Sequence, residues 1–500
     1  MSQGLGRRDF LKASAAAFAA TQFSPTAQAQ AHGPGVNPSG TLPPTADSMI
    51  LIWLPGGVSQ TEYWDPKEFT AYEEGMKASD MRGVCKSIPT AADDIFIGKG
   101  LEEIASVMDK GTILRTLTNT HDFGFDHQRA MYHVITGYPF PAGFKPPSLG
   151  AKISRFLGRR DPLMPPFIVI GREILDPGAG GPEMRKFINA LHGPGFYGIK
   201  HAPFHVKEPE QGIETLNAVA GMKVDRLDRR QDYLREISGL SSEELRASGK
   251  VKDYMSVVEN ARAMMDSSVK EAFEFREQES PETLEQYDVN HRFGWSCLLA
   301  RRLVACGARF VQVEYPFKTF GYFDTHNRSW HTNGLLKMDI DRPIAQLVRD
   351  LDERGMLDRT LVVVMSEFGR TIASPDKAAL GQNIAFATGN DGKIGGIIKK
   401  YGDGSDITID RVNMYGMHGH FPRCSNVVFF GGGMKCGFVY GKSADRHPMV
   451  PVEDPVTITD LHATICRAMG IAPDAYYVTE ERPVFMTDLG KGKPVDALFA

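Results

Sequence analysis

A chain of 500 residues exceeds what one compact core usually holds. At roughly 100–200 residues per domain it is either two to four units or one large α/β domain carrying insertions. With 42% hydrophobic, 24% charged and 10% aromatic residues, its bulk is neither disordered, collagenous nor coiled coil. Lys plus Arg at 57 against Asp plus Glu at 61 leave a formal net charge of -4, which gives no broad drive toward nucleic acid or an anionic membrane.

The N-terminus reads Gly6-Arg7-Arg8-Asp9-Phe10-Leu11-Lys12, then an Ala-rich run from Ala13 to Ala20 and small residues at Ala27-Gln28-Ala29. The apolar run is far below the ~20 residues that span a bilayer, so it reads as a cleavable signal. It resembles a twin-arginine export signal over residues 1–29. That resemblance implies the twin-arginine export machinery as a partner and a periplasmic or secreted protein. Residues 30–47, rich in Pro, Gly, Ser and Thr, read as a flexible leader. No later segment carries an apolar run long enough to cross a membrane.

From residue 48 to 500 one α/β domain is expected. Continuous apolar runs bounded by turn residues predict strands buried on both faces at Ser48 to Leu54, Thr112 to Leu117, Pro166 to Ile170, Ala308 to Val313, Thr360 to Met365 and Asn426 to Phe430. Helical periodicity falls at Leu101 to Lys110, His127 to Tyr138, Ser148 to Leu157, Phe293 to Cys306, Leu335 to Arg354 and Asp460 to Met469. Such alternation predicts a doubly wound, mostly parallel sheet flanked by helices. The charged stretch from Ile213 to Tyr287 reads as a helical insertion, about 213–290, and the Gly-rich stretch at about 374–417 as a lid-like loop. The six cysteines form no C-x-x-C pair, and buried free thiols are the default, with a Cys424–Cys436 pairing open but not fixed by the sequence.

Polar groups follow several of these strands. The fourth run leads to Asp324-Thr325-His326 and the fifth ends in Ser366-Glu367-Phe368-Gly369-Arg370. The loop before the sixth carries His418-Gly419-His420. Carboxylate and imidazole at neighbouring strand ends suit a divalent metal, zinc or manganese, at a hydrolytic centre. His121 and His127 follow the second strand, and Asp126 suits the N-cap of the helix beginning there. Ser59 lies in the turn Pro55-Gly56-Gly57-Val58-Ser59, either as a nucleophile or as part of an anion-binding nest. A P-loop, G-x-S-x-G and H-E-x-x-H are missing and no G-x-G-x-x-G opens a helix, which removes the commonest nucleotide-binding, esterase and metalloprotease readings.

Leu54-Pro-Gly-Gly-Val-Ser-Gln60 with Trp64-Asp-Pro-Lys67, Phe323-Asp-Thr-His326, Val363-Val-Met-Ser-Glu-Phe-Gly-Arg-Thr371 and Gly431-Gly-Gly-Met-Lys-Cys-Gly437 together resemble the domain-of-unknown-function family 1501. That family is similar to the alkaline phosphatase and sulfatase superfamily, which implies an alkaline-phosphatase-like fold and metal-assisted cleavage of phosphate or sulfate esters. The resemblance implies a metal centre from Asp324, His326, Glu367 and His420. His418 stands ready to replace the aspartate of the family's D-H pair, here Gly419. The superfamily's carboxylate at the end of the first strand is missing, since that strand runs into Leu54-Pro55. The expected activity is hydrolysis of a small anionic ester or a sulfated or phosphorylated glycan, with metal-bound water or hydroxide as nucleophile. Arg370 would stabilise charge, gripping two ester oxygens, and His121 or His127 would donate a proton. The alternatives are a catalytically reduced member that binds such a glycan, and an envelope-complex partner protein.

Overall fold

The computed structural model describes residues 42–119, 126–139, 144–171, 191–212, 224–239, 250–315, 323–326, 328–372, 408–446, 448–479 and 482–500. Its centre is a nine-stranded sheet. In chain order the strands are β1 (Ser48–Trp53), β2 (Gly111–Thr118), β3 (Phe167–Ile170), β4 (Phe204–Val206), β5 (Phe310–Glu314), β6 (Thr360–Met365), β7 (Ser425–Phe430), β8 (Phe438–Tyr440) and β9 (Val456–Thr457). They lie side by side as β8-β2-β7-β6-β1-β5-β3-β4, with β9 also on β2. All pairings are parallel except those of β7, which runs against both β2 and β6. All six predicted strands are present; β4, β8 and β9, two or three residues each, are too short to show a pattern in the sequence.

The helices of the sheet are α1 (His127–Thr136), α2 (Leu149–Leu157), α5 (Arg292–Ala305), α6 (Ser329–Glu353) and α7 (Ile458–Ala468). Between α2 and α5 lie α3 (Val224–Gly239) and α4 (Lys250–Met265), within the stretch read as an insertion. The central strand β1 is buried throughout, and its side chains alternate between two cores. Ile50 and Ile52 join Leu298 and Leu303 of α5 and Ile344 and Leu347 of α6. Met49, Leu51 and Trp53 face Met131 and Val134 of α1, Ile153 of α2 and Leu461 and Ile465 of α7. The fold is therefore α/β with helices on both faces of a central, mostly parallel sheet.

Local chemistry sets the helix ends. The Asp126 carboxylate accepts from the amides of Gln128 and Arg129 and caps α1, which ends at left-handed Gly137. Two expectations change. The helix expected over Leu101 to Lys110 is a single turn, Glu102–Ala105, followed by a 3-10 turn at Met108–Lys110. The helix expected from Leu335 begins at Ser329, because its first turns bury polar Ser329 and Asn333 and so lack an apolar period. The end of the expected flexible leader is also fixed. Leu42 donates its amide to Gly470 O at 2.9 Å, and Thr45 and Ala46 both donate to Ala468 O at 2.9 Å.

The proposed signal segment and most of the lid-like stretch, residues 373–407, lie outside the described residues. No described helix is long and apolar enough to cross a membrane. All six cysteines are free, with Cys424 buried and Cys436 exposed.

Candidate metal centre

Five chain segments meet at one rim of the sheet, where the parallel strands end. After β1 the chain turns through Gly56 and Gly57, both at positive φ. A Cβ on Gly56 would come within 2.4 Å of the Asp324 amide, and one on Gly57 within 2.6 Å of the Phe368 ring, so only glycine fits this close approach. After β5 comes Asp324, after β6 Ser366 and Glu367, and after β2 the start of α1. His420 precedes β7 and still reaches the same rim, because β7 is antiparallel and begins where its neighbours end.

Asp324 is the focus. Its Oδ1 lies 2.8 Å from His326 Nε2, 3.2 Å from His127 Nε2 and 3.2 Å from His420 Nε2. Ligand atoms of His127, Asp324 and His420 all lie within 4.8 Å of one another. Phe368 lines the other side of two of these imidazoles, 4.8 Å between centroids from each of His127 and His420. The Asp324 side chain is 18% exposed and the His326 side chain 12%, so the cluster opens to solvent there.

The far nitrogens of two of these rings are already committed. His127 Nδ1 lies 2.7 Å from Glu367 Oε1, and His326 Nδ1 lies 3.0 Å from the carbonyl oxygen of His418. Both partners accept, so both rings carry their proton on Nδ1. In a neutral ring the Nε2 lone pair then faces the carboxylate oxygen of Asp324, an acceptor against an acceptor. Either a second proton on the ring or a cation between them resolves that contact. Burial alone would lower the pKa of His127, yet Asp324 and Glu367 outweigh it and raise it to about 9. His420 goes the other way, to about 3, through burial and the positive charge of Arg370 and His127, against the pull of Asp324. Burial would raise the Asp324 carboxyl, but Arg370 and the three imidazoles hold it far below the usual carboxylate range. One carboxylate and convergent imidazoles are a donor set that fits zinc or manganese; His127, Asp324 and His420 are the residues whose ligand atoms all converge, and His326 stands beside them on Asp324.

Several expected residues sit elsewhere. Glu367 is fully buried behind His127: its Oε1 also accepts the Gly56 amide at 2.9 Å, and its Oε2 accepts from Ser366 Oγ at 2.9 Å. It orients the imidazole, and its oxygens are taken up away from the Asp324 cluster. His418 turns from Asp324 to Glu62, with its Nε2 3.0 Å from Glu62 Oε1. The Gly419 backbone pairs with Thr371, donating to Thr371 Oγ1 at 2.7 Å. With both ring nitrogens engaged, His127 is unsuited to protonating a leaving group. Ser59 is buried, and its Oγ makes no hydrogen bond with the cluster. His121 lies outside the described residues.

Arg370 does not begin a helix. Gly369–Arg370 is a two-residue strand paired with His420–Phe421, which sets Arg370 opposite His420. Its backbone is clamped by the Gln60 amide, with Arg370 N donating to Gln60 Oε1 at 2.7 Å and Gln60 Nε2 donating to Arg370 O at 2.8 Å. The fully buried guanidinium donates through Nε to Gly57 O at 2.9 Å and through Nη2 to Gly56 O and Asp324. Only Nη1 lacks a partner, so the expected bidentate grip on an ester reduces to one nitrogen. Sequence reasoning gave no role to Glu62, Gln60 or Ser366: Gln60 and Ser366 stand inside the quoted motifs, but a motif does not tell which of its residues act through their neighbours.

No curated protein sequence matches the chain. Among solved structures it is similar to a mutant of the alkaline phosphatase PafA, with 8% identity and TM-score 0.36 over 92% of this chain and 100% of that one. It is similar to the PsFucS1 sulfatase from Pseudoalteromonas sp., with 10% identity and TM-score 0.33 over 85% and 68% of the two chains. It is also similar to the phosphonate monoester hydrolase of Agrobacterium radiobacter, with 10% identity and TM-score 0.33 over 90% and 77%. The model of the protein family of unknown function DUF1501 matches residues 46–499, and the chain belongs to that family.

Proposed function

We propose that the protein is an exported, metal-dependent hydrolase of phosphate or sulfate esters, working with a single cation held by Asp324, His127, His420 and His326. The observation that carries this reading is the convergence of three imidazole Nε2 atoms within 3.2 Å of one carboxylate oxygen, two of them on rings whose other nitrogen is bonded to an acceptor. The motif set resembling the alkaline phosphatase and sulfatase superfamily supports the ester class, and the Arg7-Arg8 signal pattern supports export.

A bound divalent ion supplies Lewis acidity toward an ester oxygen and acidifies water beside it. The chain's own residues do the rest. Glu367 and the His418 carbonyl hold the Nδ1 protons of His127 and His326, which aims their Nε2 atoms at the centre. Arg370 Nη1 offers one fixed donor to a developing negative oxygen in a buried setting, where such a donor is worth more than in water. A second reading, glycan binding without turnover, draws on the first strand, which ends in Leu54-Pro55 with no carboxylate to hold a second cation.

Elemental analysis of the exported protein, with a panel of phosphate, phosphonate and sulfate esters assayed with and without chelator, tests the proposal. We expect about one zinc or manganese per chain and hydrolysis that chelator abolishes. Metal without turnover on any ester points to the binding reading. Hydrolysis indifferent to chelator and to Asp324→Ala overturns the proposal.

A further inference from the structure

The polar groups behind His326 form a second buried cluster. Glu62 sits in the turn after β1 and is 1% exposed, and His418, on the segment before β7, is 2% exposed. Their side chains pair, with His418 Nε2 3.0 Å from Glu62 Oε1. On the buried face of α6, Ser329, Asn333 and Lys337 recur every fourth residue, and Asn333 and Lys337 lie beside Glu62. Tyr63 OH donates to Asn333 Oδ1 at 3.2 Å, and Lys337 Nζ donates to Lys99 O at 2.8 Å. An apolar helix stripe would leave the Glu62 carboxylate with His418 alone, so this polar face helps a charge to stay buried here.

The segment that Glu62 grips is the one that orients His326. His418 donates its backbone amide to His326 O at 3.1 Å and returns its carbonyl to His326 Nδ1 at 3.0 Å, while Ser329 N donates to Gly416 O at 3.0 Å. Alongside the Tyr415 hydroxyl bond to Thr70 O and the pairing of Met76–Lys77 with Thr408–Ile409, the Glu62–His418 contact ties the chain after β1 to the chain before β7, and the chain before β7 holds the chain after β5 through backbone bonds. We infer that Glu62 is a positioning residue: by anchoring His418, it fixes the carbonyl that keeps the His326 proton on Nδ1 and its Nε2 turned to Asp324. The use made of that orientation rests on the proposed metal centre, but the orientation itself does not.

The test is histidine-selective 15N–1H NMR of the metal-free full chain, comparing wild type with Glu62→Gln, and metal affinity measured separately by competition with a zinc chelator. His462, whose Nε2 lies 2.7 Å from Val134 O in the opposite core, serves as the internal reporter of folding. Expected in wild type is a protected Nδ1–H on His326. In Glu62→Gln that signal is lost or averaged while the His462 signal persists, and zinc affinity falls roughly 10- to 100-fold. A protected His326 Nδ1–H that survives in Glu62→Gln overturns the inference. If that variant fails to fold, His418→Gln carries the same comparison. Loss of His326 order in a protein that never takes up metal upholds the positioning role and overturns the metal centre instead.

Discussion

At the scale of single residues, the centre hangs on Asp324 and Arg370. Asp324 is the one carboxylate in the imidazole cluster, so Asp324→Asn removes its charge with little change of shape. We expect that variant to lose bound metal and to reduce ester hydrolysis at least ~100-fold, read by elemental analysis and kcat/KM. Arg370 has a structural task as well as an electrostatic one. It is fully buried, and its removal would strip donors from the carbonyls of Gly56 and Gly57 and leave Asp324 without its strongest opposing charge. Arg370→Met is therefore expected to destabilise the fold by about 3–5 kcal/mol in urea unfolding. Arg370→Lys should recover little of that, because an ammonium cannot serve three directions with planar geometry.

At the scale of elements, α1 carries His127 to the rim, and its far end is locked against α7. Gly137 closes α1 at φ +73°, and a Cβ there would approach the His462 ring at 2.9 Å. Gly137→Ala should therefore cost about 1–3 kcal/mol, combining left-handed backbone strain with displacement of the ring. His462 also confers acid sensitivity. Burial lowers its pKa to about 3, with Lys152 adding to the effect and the Val134 carbonyl opposing it. The folded protein thus keeps the imidazole neutral where the unfolded chain takes up a proton. Its contribution is fully present above about pH 6.5 and is lost as pH falls toward 3. Wild type should lose about 2 kcal/mol more stability than His462→Gln between pH 6.5 and 4.5, measured by urea unfolding at several pH values.

At the scale of the whole molecule, the site fastens parts of the chain that are far apart in sequence: the turn after β1, the start of α1, the loop after β5, the strand after β6 and the segment before β7. A cation bound there stabilises the entire fold by mass action. At a free concentration about 100 times its Kd the gain is about 2.7 kcal/mol, or a rise of roughly 3 °C in Tm for a chain of this size. Zinc or manganese should raise Tm in wild type, chelator should reverse it, and Asp324→Asn should show neither effect in a thermal scan. The remote Gly137→Ala variant should keep the full metal-dependent shift on a lower baseline.

The sequence by itself determined the sheet, because strands buried on both faces must be continuously apolar, and each of the six such runs became one. It also determined Asp324, His326 and His420 as residues brought together, since their motifs directly follow or precede those runs. Only the tertiary structure decided the rest. The antiparallel course of β7 is what lets His420 meet residues placed after parallel strands, and no local pattern encodes strand direction. Glu367 stands behind His127 because the Gly56 amide, more than 300 positions away in the chain, claims its oxygen. His418 turns to Glu62 because a polar face of α6 makes a buried charge tolerable there, and that same polarity masked the start of the helix. Patterns of burial are written in the order of residues, whereas the choice among competing hydrogen-bond partners depends on distances that exist only once the chain has closed.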